Sequence, residues 1–270
     1  MENRDYLALD MEMTGLNPKS ERILEIGCVL VRNGEITDDF QVMINPSRKL
    51  SDHIIELTGI TDEMASAGVS QTEGMEMFLE FVKKNKRKEE KIPLLGHRIL
   101  FDFSFLKRQL LDAALIVEAG KKKNEQIQTM ETLGIASGID TLRIARAFLP
   151  KLPSKSLPAL CEYYGIHEEA HRALNDAIAA HSLYQIFLNE FGENQDAEKI
   201  FAPVPLICKL KKQQPITKKS KERLLELLQR HHIEPSYELD SLTRNEADRE
   251  IDRILSKYGN TIKVTENRGL

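Results

Sequence analysis

Apolar and polar positions fall into blocks whose spacing changes from every second residue to helical spacing along the chain. The first block, LALDMEMTGL from Leu7 to Leu16, is an apolar run holding Asp10 and Glu12 two residues apart. Side chains at i and i+2 of a strand leave by one face, so these carboxylates project together. The next block, RILEIGCVLVRNGEITDDFQVMIN, reads as two strands joined at Asn33-Gly34, a dipeptide that takes the positive φ angles of a tight hairpin. The first three strands are expected to pair. Ser51 to Leu57 reads as a short helix broken at Gly59. Glu73 to Val82 carries Met77, Phe78, Phe81 and Val82 at helical spacing, then passes into the charged run KKNKRKEEK, read as a solvated helix end and loop. Ile92 to Leu95 is a brief apolar strand, followed by a helical segment with Phe105, Leu106, Leu110 and Leu111.

The stretch GKKKNEQIQTMETLGIASG has few large apolar residues and reads as a variable surface insertion. IDTLRIARAFLP resumes a buried pattern, and Ser156 to Tyr164 and Ala173 to Phe191 supply two more helices. Strands first and helices interleaved later predict an α/β domain with a mixed sheet. Polar residues and prolines in FGENQDAEKIFAPVP then interrupt the periodicity. The expected division is a main domain over 1–192, a linker over 193–205 and a small helical module over 206–270. Within that module KERLLELLQRHHI and NEADREIDRILSKYG are amphipathic, with Thr243 or Asn245 able to cap the second helix.

Composition narrows the class. Hydrophobic residues make up 41% and charged residues 30%, the balance of a soluble globular protein. No apolar run approaches the roughly 18 to 20 residues of a membrane span, and MENRDYLALD lacks a signal-peptide layout. A cytoplasmic protein without membrane contact is expected. Cys28, Cys161 and Cys208 show no Cys-x-x-Cys spacing and read as reduced thiols. The net charge of −4 argues against an overall basic coat but permits local patches. One such cluster is Lys209, Lys211, Lys212, Lys218, Lys219, Lys221 and Arg223, a guide for a nucleic-acid backbone, a protein-docking face or a plain solvated helix.

Two acids held side by side repel unless a positive charge sits between them, and the usual answer is a divalent cation with oxygen ligands. Two distant segments extend the pair. In LLGHRILFDFSFLKRQ, Asp102 follows an apolar strand at the start of a helix; in HRALNDAIAAHSL, His171 and Asp176 bracket the beginning of a long one. Five residues of regular helix rotate by about 140°, so His171 is expected in the turn before that helix and Asp176 in its first turns.

With these residues in view, the chain resembles the DEDDh (DnaQ-like) 3′ to 5′ exonucleases, the family of the DNA polymerase III epsilon subunit, ribonuclease T and oligoribonuclease. The resemblance covers about residues 5 to 190 and includes Thr14-Gly15-Leu16, LTGIT at Leu57 to Thr61, IDTL at Ile139 to Leu142, and the pattern from His171 to Ala177. It implies a ribonuclease H-like, five-stranded mixed sheet flanked by helices. It also implies that Asp10, Glu12, Asp102 and Asp176 bind two divalent cations, Mg²⁺ or Mn²⁺, with His171 as general base for the attacking water. The implied reaction releases nucleoside 5′-monophosphates from single-stranded 3′ ends, DNA favoured. An exoribonuclease trimming RNA, and a proofreading subunit acting with a DNA polymerase or another replication or repair protein through residues 206–270, stay open.

Candidate substrate contacts are Met13, Thr14, Gly15 and Leu16 after the acid pair, His97 and Arg98 in the second motif, and Phe105. Met13 has a second reading, since with Met11 it leaves by the face opposite the acids and would pack. Arg98 stands where family members often have Asn.

Overall fold

The computed structural model describes residues 4–117, 128–167, 172–208, 215–235, 237 and 239–258. It divides into two compact units, Met1–Pro46 with Leu50–Lys209, and Leu210–Leu270 with Ser47–Lys49.

In the first unit the strands are β1 (Tyr6–Met13), β2 (Ile23–Arg32), β3 (Glu35–Met43), β4 (Leu94–Gly96), β5 (Ser137–Asp140) and β6 (Val204–Pro205). They form one sheet in the order β3-β2-β1-β4-β5-β6. The three N-terminal strands pair antiparallel, β1–β4 and β4–β5 are parallel, and β6 closes the edge antiparallel to β5. The β2–β3 turn is the expected one, with Asn33 at φ 54° and Gly34 at φ 86°, both positive as a type I′ hairpin requires. The mixed α/β sheet is thus the architecture expected, with one short strand beyond five.

The helices are α1 (Asp52–Thr58), α2 (Asp62–Ser66), α3 (Gln71–Asn85), α4 (Leu100–Asp112), α5 (Thr141–Phe148), α6 (Leu157–Tyr164), α7 (Ala173–Phe191) and α8 (Ala197–Phe201). They cover both faces of the sheet. Leu7, Leu9, Met11 and Met13 of β1 pack with Phe78 and Leu79 of α3 and with Phe103, Phe105 and Leu106 of α4. The alternate residues Tyr6 and Ala8 pack with Ile144, Leu160, Leu183, Tyr184 and Phe187 of α5, α6 and α7. Period-two alternation therefore puts Asp10 and Glu12 in the row of Tyr6 and Ala8, on the face that α7 covers. The buried Tyr6 hydroxyl anchors that helix, lying 2.8 Å from His181 Nδ1 and accepting from Gln185 Nε2 at 2.8 Å.

The charged run 83–91 is the largely exposed helix end and loop expected of it. It folds back on the sheet, where Glu90 and Asp5 pair with the Arg32 guanidinium and Asn85 supplies a carbonyl. Two other segments depart from the expected pattern. Residues 120–127 of the expected surface insertion lie outside the described residues, but Met130, Leu133 and Ile135 later in it are core. Residues 193–205, read as a linker, carry α8 and β6. Phe201 is fully buried there, and Arg143 of α5 donates to the carbonyls of Ile200 and Ala202.

The second unit contains α9 (Lys218–Arg230), a single 3₁₀ turn (Leu239–Ser241) and α10 (Arg244–Tyr258). Its own small core gathers Leu224, Leu227, Leu228, Leu242, Ala247 and Ile254. Thr217 caps α9 through Ser220 N, and Thr243 precedes α10 with its carbonyl accepting from Ala247 N. Of the basic cluster, Lys209, Lys211 and Lys212 lie outside the described residues. Lys218 faces Glu222, Lys221 pairs with Asp240 and Arg223 with Glu226, so much of the local positive charge is balanced. Among the described residues no helix is long and apolar enough to cross a membrane.

Candidate active site

Three elements converge where β1 ends. Asp10 pairs in register with Gly27 of β2, and Glu12 with Glu25. A Cβ at Gly27 would lie 2.0 Å from Leu174 N and 2.1 Å from the Ala173 carbonyl carbon, so the backbone of α7 starts directly on the glycine. This close approach carries Asp176, in the first turn of α7, to the acid pair. Carboxylate oxygens of Asp10, Glu12 and Asp176 lie within 4.8 Å of one another. From the other face, Asp102 in the first turn of α4 is buried, and its carboxylate accepts the backbone N–H of Met11. Asp102 is not in that three-acid group as placed, yet its charge is the foremost neighbouring one acting on Asp10.

Crowding shapes the electrostatics. Burial, followed by Asp102, Asp176 and Glu12, holds the Asp10 carboxyl well above the usual carboxylate range. Glu12 is pushed up to about 8, first by burial and then by Asp176 and Glu25, with Arg172 opposing. Burial likewise raises Asp102, against two backbone hydrogen bonds that pull it down. An all-oxygen donor set that resists ionisation by itself fits a hard divalent cation, which removes the repulsion while using the carboxylates as ligands.

A sign follows for stability. With chelator present, the native state holds protons on these acids that the unfolded chain has released. For Glu12 that contribution is full below its ordinary value of 4.5 and is lost as pH rises through about 8. The thermal midpoint in chelator is therefore expected to fall between about pH 5 and pH 8, and Mg²⁺ is expected to raise it more at the upper end, because metal binds the deprotonated ligands. Calorimetry at several pH values with and without Mg²⁺ checks both; a metal effect equal at the two ends would contradict it.

The sequence profile of the exonuclease family RNase_T matches residues 7–184, a span that contains all four acids. The chain belongs to the DEDDh, DnaQ-like exonuclease family. Relatives of this chain include the DNA polymerase III PolC-type proteins of Latilactobacillus sakei subsp. sakei (strain 23K), 32% identical over 197 residues and 73% of this chain, and of Bacillus subtilis (strain 168), 31% identical over 194 residues and 72%. The chain spans only 12% of the length of either polymerase. The fold is shared with the nuclease domain of 3′hExo, a DEDDh family member bound to rAMP, at a TM-score of 0.55 and 22% identity, covering 69% of this chain and 92% of that one. It is shared too with the zinc-bound E. coli ExoI–ssDNA complex, at a TM-score of 0.58 and 17% identity, covering 71% and 42%.

Around the four acids the expected substrate contacts separate. His171 lies outside the described residues. Leu16 is 82% exposed beside half-buried Gly15. Arg98 is exposed with its backbone at φ 71°, uncommon for a side-chain-bearing residue; its N–H donates to Asp140 Oδ1 and its guanidinium lies 5.3 Å from the Phe101 ring centre. Other candidates are committed elsewhere. Thr14 donates its backbone N–H to the Arg22 carbonyl and its hydroxyl to Glu21 Oε2, so it fixes the 14–22 loop. His97 is bonded to Thr141 Oγ1 and to the backbone of Lys155, tying α5 and the loop before α6 to the end of β4.

Two candidates are corrected outright. Met13 is on the odd row of β1 and packs in the core, as period-two alternation requires. Phe105 is fully buried one turn beyond Asp102, on the face α4 turns to the sheet, and meets Phe101 edge-on. Sequence reasoning also missed Glu25 and Gly27. Both stand in the apolar run of β2, where a lone acid and a lone glycine were the available signals.

Proposed function

We propose that this chain is a metal-dependent 3′ to 5′ exonuclease that releases nucleoside 5′-monophosphates from single-stranded ends, with DNA favoured. The observation that carries this reading is the meeting of Asp10, Glu12 and Asp176 within 4.8 Å beside buried Asp102, in a chain of the exonuclease family. Those four carboxylates would hold two divalent cations, Mg²⁺ or Mn²⁺. Bound there, the metal would offset charge building on the phosphate and lower the pKa of a coordinated water.

The chain's own groups do the rest. His171 takes a proton from the attacking water, a role suited to an imidazole titrating near neutrality. The water oxygen bonds to phosphorus, and the bond to the 3′ oxygen of the preceding nucleotide breaks, that oxygen taking up a proton from solvent to become the new 3′ hydroxyl. Exposed Leu16 offers an apolar surface to the terminal base, and Arg98 offers charge to the phosphate backbone. The preference for DNA is supported by the polymerases that the chain resembles. The same likeness supports a polymerase, or another replication or repair protein, as partner, with residues 206–270 as the docking module.

The test is digestion of matched 5′-labelled DNA and RNA oligonucleotides with Mg²⁺, with chelator, and with His171→Ala. A metal-dependent ladder shortening from the 3′ end of the DNA is expected, slowed roughly 10²-fold or more in the variant. Faster loss of RNA reverses the sugar preference, and an inert protein sinks the enzymatic reading.

A further inference from the structure

We infer that Glu25 is a positioning residue for hydrolysis, clamping the start of α7 and the residue next to His171 onto the sheet. The inference rests on the exonuclease reading and adds a residue outside the four acids and the histidine. Glu25 has a relative exposure of only 1%, and its carboxylate is fully engaged. Oε1 accepts from Gln41 Nε2 of β3 at 2.8 Å and from Arg172 Nη2 at 2.7 Å. Oε2 accepts from Arg172 Nε at 3.2 Å and from the backbone N–H of Ala173 at 3.1 Å.

This arrangement replaces an ordinary helix cap. Arg172, at the N-cap position of α7, makes no side-chain capping bond, and the anion that meets the helix terminus comes from β2 instead. A buried carboxylate under a two-pronged guanidinium fixes orientation as well as distance. Because Glu25 is the register partner of Glu12, the clamp indexes α7 to the strand that carries the acid pair. Asp176 is set by the same contact, its N–H bonded to the Arg172 carbonyl at 3.0 Å. His171 is the residue immediately before Arg172 in the chain. One side chain thereby aligns the helix-borne acid with Glu12 and fixes Arg172, the residue that follows the proposed base in the chain.

Charge provides the discriminating test, because Glu25 and Arg172 push Glu12 in opposite directions. If the pair acted only by tuning Glu12, Glu25→Gln and Arg172→Gln would change the rate in opposite senses. If it acts by positioning, both variants lower kcat by about 10- to 100-fold, the range for supporting residues around a metal site. The double variant is then no slower than either single one, and KM for a single-stranded oligonucleotide is unchanged. Arg172, with its side chain 39% exposed, tolerates replacement if the Glu25 variant fails to fold.

Steady-state rates of the full chain with Mg²⁺ and labelled single-stranded DNA, below the thermal transition, give these quantities. Opposite effects, losses that multiply in the double variant, or a kcat within twofold of the parent overturn the inference while leaving the exonuclease reading intact. A parent protein that hydrolyses nothing removes the exonuclease reading, and the inference falls with it.

Discussion

Replacing Asp176 with Asn is expected to lower hydrolysis by about 10⁴-fold while leaving a folded protein, and Asp10→Asn is expected to do the same. Either change keeps the shape of the side chain and removes one anionic ligand from the group lying within 4.8 Å. Stability should move the other way. Burial and four neighbouring acids hold Asp10 far from its ordinary ionisation, so a neutral amide there relieves a cost that the chelated protein carries. The midpoint of Asp10→Asn in chelator is therefore expected to rise, by roughly 2–4 °C for each kcal/mol gained in a chain of this size. Loss of activity with gain of stability marks a site built for a ligand rather than for the fold. Rates of both variants and calorimetry of Asp10→Asn in chelator check the pair of effects, and an Asp10→Asn enzyme retaining a tenth of the parent rate would remove that residue from the metal site.

The second large effect concerns a residue with no functional group. Gly27→Ala places a methyl 2.0 Å from Leu174 N and 2.1 Å from the Ala173 carbonyl carbon, and both obstacles are backbone. No rotamer change relieves such a clash, so α7 must lift from β2. The expected cost is about 3 kcal/mol or more, at the top of the range for overpacking. That corresponds to a midpoint lower by roughly 6–12 °C. Activity below the transition should fall as well, because the lifted segment carries Asp176 and is bonded to Glu25 through Ala173 N. Calorimetry and rates of this single variant test the account; a parent-like midpoint would mean that α7 does not rest on β2 as described.

Much of the scaffold was legible because its signals are local. The hairpin at Asn33-Gly34 follows from two residues that accept positive φ, and α7 occupies the Ala173–Phe191 span expected from its apolar spacing. Short elements escaped for the same reason. The four residues of β5 and two of β6 are too few to display a period, and α8 becomes apolar core only because α5 and α7 meet it there. Phe105 shows the limit for single residues: an aromatic three positions after an acid can flank a substrate or enter the core, and only the direction in which α4 faces the sheet decides.

By itself the sequence determined the α/β alternation and the shared face of Asp10 and Glu12, and the motifs ordered along it carried the family resemblance that implied Asp102 and Asp176 in the same set. These follow from strand periodicity and from residue types ordered along the chain. Only the tertiary structure decided how the acids meet, that Glu25 caps a helix more than 140 residues away in the chain, and that Gly27 is the surface on which that helix rests. The physical reason is that β2 is buried on both faces, so its pattern of apolar residues carries no record of which neighbour covers which side.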